Sequence, residues 1–172
     1  MLYLKCTKAV QAQLGLRKDD FGPPGLTDTE LGNWYINLFD LENRKTFIFM
    51  SERTLLSFVL LEGKKFDREK VARGFLGGLH QLLGIEGLEP ETIERVVGQY
   101  AKGAFAATDS PSLVGHMNNM VEKYRCFVAS EGGLMRSDIG AIIQRINRMP
   151  QRKLGWRTAI ETVKALFGAA AN

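Results

Sequence analysis

The sequence predicts an α+β fold, a small antiparallel sheet packed with helices, on three observations. Three short aromatic and β-branched runs with polar breaks between them fall between residues 34 and 60. Apolar stripes at helical spacing occupy most of the chain after residue 67. Hydrophobic residues make up 45% of the 172 and charged residues 24%, enough for one folded core and unlike a disordered chain. The whole of 1–172 therefore reads as a single domain.

Residues 2–6 alternate and read as a short strand. Thr7 is placed to cap a brief helix carrying Val10 and Leu14, which Gly15 ends. Residues 16–31, with Asp19-Asp20, Gly22-Pro23-Pro24-Gly25 and Asp28, favour turns and are expected to form a long surface loop. Trp34–Phe39, Thr46–Met50 and Thr54–Leu60 form a three-stranded antiparallel meander. Their near-continuous apolar character predicts that helices cover at least part of both sheet faces.

Asp67 caps a helix to about Leu83, with Val71, Phe75, Leu79 and Leu82 on one stripe. Gly74, Gly77 and Gly78 weaken it by about 1 kcal/mol each relative to alanine, unless close packing on the sheet requires them. Glu89-Pro90-Glu91 opens the next helix, and Gly103–Thr108 reads as a fourth short strand. Ser110-Pro111 starts a long helix with Leu113, Met117, Met120, Tyr124 and Phe127 on its buried stripe. Ser137 caps a helix bearing Ile139, Ile142, Ile143 and Ile146, Pro150 stops it, and Thr158 starts the last helix. Residues 137–167 thus resemble a basic helix-turn-helix, and the tail after Gly168 is expected to fray. This order is also compatible with a ribonuclease-H-like arrangement.

No stretch approaches the roughly 20 apolar residues of a membrane span, and the start is not a signal peptide. The two cysteines, Cys6 and Cys126, form neither a disulfide framework nor a zinc ligand set, and both read as core residues. A cytoplasmic domain with no membrane partner, metal or cofactor is expected. Charge is uneven: residues 1–100 hold 13 basic and 14 acidic side chains, residues 101–172 hold 10 and 5. Arg145, Arg148, Arg152, Lys153 and Arg157 are candidates for contact with nucleic acid or another polyanion, provided they converge on one face.

Catalytic constellations are sparse. His80 and His116 have no triad partners nearby, and Gly74–Gly78 lies inside a helix without the lysine of a phosphate loop. Thr108-Asp109-Ser110-Pro111-Ser112 joins a strand to a helix start, where free N–H groups hold an anion or a capping side chain. Asn37, Arg44, Asp109, His116 and Asn118 form a candidate polar site. A metal-dependent nuclease would need Asp109 joined by further carboxylates, for which only Asp40 and Glu69 are offered.

Several blocks give the whole chain a resemblance to a family. They are Leu4–Lys8, Leu31-Gly32-Asn33-Trp34-Tyr35-Ile36-Asn37-Leu38, Arg44-Lys45, Thr54–Phe58, Thr108–Asn119 and Asn147–Gly155. Together they resemble an uncharacterised bacterial family, a domain of unknown function. The resemblance implies a bacterial stand-alone domain and supplies no activity. The family more often reads Thr-Asn-x-Arg-Ser where this chain has Thr108–Ser112, which counts against Asp109 as an essential carboxylate. Residues 146–161 also resemble the closing segment of integrase-type transposase catalytic domains, which implies at most a similar basic end.

Three roles follow as expectations. The first is a non-catalytic nucleic-acid or polyanion binding module. The second is a protein-interaction domain or homo-oligomer using Trp34, Tyr35 and the 16–31 loop. The third is a nuclease-like enzyme built on Asp109.

Overall fold

The computed structural model describes residues 2–23, 27–61 and 65–168. Leu2–Cys6 (β1) leads into the short helix Lys8–Gln13 (α1). Trp34–Leu41 (β2), Arg44–Ser51 (β3) and Ser57–Leu61 (β4) are the expected meander. Arg68–Ile85 (α2), Pro90–Gly98 (α3), Gly103–Ala107 (β5), Pro111–Ser130 (α4), Ile139–Asn147 (α5) and Ala159–Gly168 (α6) complete the order.

The sheet has the order β4-β3-β2-β1-β5 and is mixed rather than all-antiparallel. β2, β3 and β4 pair antiparallel, whereas β1 lies parallel to both β2 and β5. Residues 7–33 and 62–102 are long enough to return the chain for parallel pairing, which a hairpin cannot do. β1 and not β2 is the neighbour of β5, which sets this sheet apart from a ribonuclease-H-like meander continued by its fourth strand.

Period-two alternation splits the apolar residues between two faces. Trp34, Ile36, Phe47, Phe49 and Phe58, with Leu2, Leu4 and Cys6, pack under α1, α2, α3 and α6. Tyr35, Phe39, Leu41, Ile48, Met50 and Val59 pack under α4 and α5. Both faces are covered, as the apolar runs require. Two of the four α2 glycines explain how closely that helix approaches. A Cβ on Gly74 would lie 2.4 Å from Leu60 Cδ2, and one on Gly78 would lie 2.4 Å from Phe58 Cε2. Gly77 faces open space and serves no such purpose.

Helix starts follow the sequence with one displacement. Asp67 accepts from the Lys70 N–H at 2.9 Å, and Ser110 from that of Leu113 at 3.3 Å. For α5 the cap is Asp138, accepting from Ala141 at 3.0 Å. The Ser137 hydroxyl instead donates to the Gly133 carbonyl at 2.7 Å. On α4 the buried positions are Met117, Met120, Val121, Tyr124 and Val128, with Leu113 and Phe127 at the margin.

The described residues of 16–31 lie largely at the surface, with anchoring points along the way. The segment holds a 3-10 turn over Lys18–Asp20, Phe21 bridges Phe105 of β5, and Leu31 is fully buried. Pro24 and Gly25 lie outside the described residues, as does the tail after Gly168.

Candidate functional site

The carboxy-terminal ends of the parallel strands β1 and β5 carry a polar cluster that crosses strands. α1 leaves β1 toward one sheet face and α4 leaves β5 toward the other, the arrangement that opens a crevice at the strand ends of α/β sheets. Lys5 sits between Tyr35 of β2 and Ala106 of β5 in register. Its ammonium donates to Asp109 Oδ2 at 2.9 Å and Oδ1 at 3.1 Å, and to Glu52 Oε2 at 2.9 Å. The Tyr35 hydroxyl donates to Asp109 Oδ1. A cavity of about 310 Å³ opens beside this group, with Tyr3 and Phe21 among its walls.

Two residues along β2, Asn37 extends the cluster. Its Oδ1 accepts from the Thr7 hydroxyl at 2.8 Å, and its Nδ2 donates to Asn118 Oδ1 at 3.2 Å. Of the expected polar site, Asn37 and Asn118 are thus in contact, and Asp109 is bonded to Lys5 and Tyr35. Arg44 is not among them. It pairs with Leu41 at the opposite end of β2, six residues from Tyr35, or about 20 Å along the strand. His116 lies on α4 with its Nε2 buried and without a hydrogen-bond partner. Burial lowers its pKa, and the charges of Lys123 and Lys153 lower it further.

Lys5, Asp109 and Tyr35 are each shifted away from neutrality. Burial opposes the charge on Lys5, but its bonds and charge interactions with Asp109 and Glu52 outweigh that and raise its pKa. Burial likewise opposes ionisation of Asp109, yet the Tyr35 and Lys5 hydrogen bonds hold its pKa below the usual range. Tyr35 is pushed up by burial and by the Asp109 bond and charge. An ammonium fills the space between the Glu52 and Asp109 carboxylates, the place a bridging metal ion would need. Among the described residues no group of three or more His, Cys, Asp or Glu is arranged to hold a metal. Asp109 does not cap α4 either, since Ser110 does.

Other expectations are corrected by burial. Trp34 and Tyr35 are fully buried and cannot anchor a partner. Cys6 is buried, which pushes its thiol up to about 12, but Cys126 is exposed rather than in the core.

The five basic candidates divide. Arg148 donates to both oxygens of the buried Glu86 carboxylate, at 2.9 and 2.5 Å, and is a structural ion pair. The Arg145 guanidinium lies 4.2 Å from the centre of the Phe127 ring. Arg152, Lys153 and Arg157 occupy one exposed turn after α5. Lys153 reaches the Ser112 hydroxyl at the start of α4. Arg152 and Arg157 have no side-chain partner among the described residues. At the centre of the turn stands Trp156, 67% exposed, which composition and periodicity did not single out. The available signal was Gly155-Trp156 between basic residues, a turn-forming glycine beside an aromatic.

Fold and site together define a three-layer α+β domain with a mixed five-stranded sheet, an electrostatically closed polar cluster and a basic turn. The chain belongs to the domain of unknown function family DUF6933, whose model matches residues 3–162. No curated protein matches the chain.

Proposed function

We propose that the domain binds nucleic acid or a similar phosphate polymer through the turn at Gln151–Arg157, without catalysis. The observation carrying this reading is that Arg152 and Arg157 are exposed, and without a side-chain partner among the described residues, on one short turn beside Lys153. The nearest acid in the chain, Glu161, is engaged with the Thr158 N–H at 2.9 Å. The joint effect of Lys123 and Lys153 on His116 supports a positive field extending along α4. Arg145 contributes charge from α5, whereas Arg148 is withdrawn from the set by Glu86. A cytoplasmic setting belongs to the same proposal and is supported by two free cysteines, one of them exposed.

The test is anisotropy of labelled oligonucleotides against salt, with Arg152→Ala, Lys153→Ala and Arg157→Ala. Binding should weaken linearly in log salt, and each substitution should reduce the slope by about 0.7–0.9. Absence of binding at about 50 mM salt overturns the reading.

A further inference from the structure

Trp156 sits in a turn built around it. The Arg157 N–H donates to the Leu154 carbonyl at 3.3 Å, and the two residues between them, Gly155 and Trp156, have φ of 63° and 68°. That pair of positive values is what a type I′ turn demands, and glycine or asparagine ordinarily supplies both. A tryptophan held there keeps a conformation that L side chains adopt at a cost, and such outliers point toward function. The turn is fixed from within: Trp156 N–H donates to the Gln151 carbonyl at 2.9 Å, and Gln151 N–H to that of Arg157 at 3.0 Å. Gln151 itself is buried. The indole is therefore presented outward on a rigid loop. Among the described residues no ring or cation packs on it.

We propose that Trp156 is a base-stacking platform, so that the turn takes single-stranded nucleic acid rather than duplex; this rests on the polyanion reading above. A planar aromatic on a turn whose guanidinium groups have no partner among the described residues offers both requirements of single-strand binding, a π-face for the base and cations for the adjoining phosphates. A duplex keeps its bases stacked on one another and offers the indole no free face. Stacking tolerates any base, so sequence preference is weak.

The two tryptophans make the test direct. Trp34 is fully buried, so ligand-induced quenching of intrinsic fluorescence reports Trp156. The protein is titrated with oligo-dT, oligo-rU, the matching DNA and RNA duplexes, and inorganic polyphosphate, which has no bases. Quenching by the single strands and none by polyphosphate is expected, and the dT and rU arms separate DNA from RNA. Trp156→Asn, which keeps the left-handed turn, should weaken single-strand binding about ten-fold or more, while Trp156→Phe retains most of it. The salt slope should not change, because no charge is removed. Duplex binding as tight as single-strand binding, or single-strand affinity unaltered by Trp156→Asn, overturns the stacking role while polyanion binding stands. Failure of every oligonucleotide and of polyphosphate to bind overturns both.

Discussion

Lys5 is the one charge on a strand whose other residues are all buried, and it is tolerated because two carboxylates meet its ammonium. Removing it leaves Glu52 and Asp109 facing each other without a cation between them. Lys5→Met should lower stability by about 1–3 kcal/mol in denaturant unfolding, and adding Asp109→Asn should restore part of the loss. The pH dependence follows from the two shifts. Asp109 has a lowered folded pKa, so its contribution is present above its unfolded value of about 3.9 and is lost as pH falls through the folded one. Lys5 has a raised folded pKa, so its contribution is present below about 10.4 and is lost as pH rises through the higher folded value. Stability should therefore be flat across neutral pH with respect to this cluster, and Lys5→Met should shrink the changes at both limbs. A dependence near pH 7 that disappears in Lys5→Met would contradict this account. In the sequence, Asn37, Asp109 and Asn118 stood out as polar residues beside apolar runs. Lys5 and Glu52 did not, because their meeting depends on which strands pair.

At the scale of elements, α2 gives the sharpest contrast. Gly74→Ala and Gly78→Ala drive a methyl into Leu60 and Phe58, and each should cost about 1–3 kcal/mol. Phe58 is a buried ring that cannot swing aside, so Gly78→Ala should be the worse of the two. Gly77→Ala meets nothing and should stabilise by up to about 1 kcal/mol through helix propensity alone. Thermal unfolding of the three variants decides it, and equal effects would mean the helix stands further from the sheet. The meander was legible because long aromatic and β-branched runs alternate around clear breaks. The parallel pairing of β1 and β5 was not, since Gly103–Ala107 is five small or apolar residues with no register signal. The α5 cap moved by a single residue, from Ser137 to Asp138, because either side chain has the required oxygen and only the backbone path selects one.

Across the whole molecule, the excess positive charge of the last third serves two ends that the sequence presents alike. Arg148, the residue that ends α5, bonds the buried Glu86, the residue that ends α2, and so joins helices on opposite sheet faces. Arg148→Ala leaves that carboxylate buried and unpaired and should cost about 3 kcal/mol or more. Arg152→Ala and Arg157→Ala should change stability by less than about 0.5 kcal/mol. Denaturation midpoints measured beside the binding titrations separate the two groups, and a destabilised Arg152→Ala would show that the turn is structural.

Placing β1 between β2 and the late strand β5 has a consequence for synthesis. On the ribosome, residues 34–61 can zip into hairpins as soon as they emerge, because their partners are close in sequence. β1 has left the exit tunnel by then, yet one of its edges waits for residues 103–107. Until those arrive, the nascent sheet ends on an open, apolar strand border, the feature that recruits stray strands from other molecules.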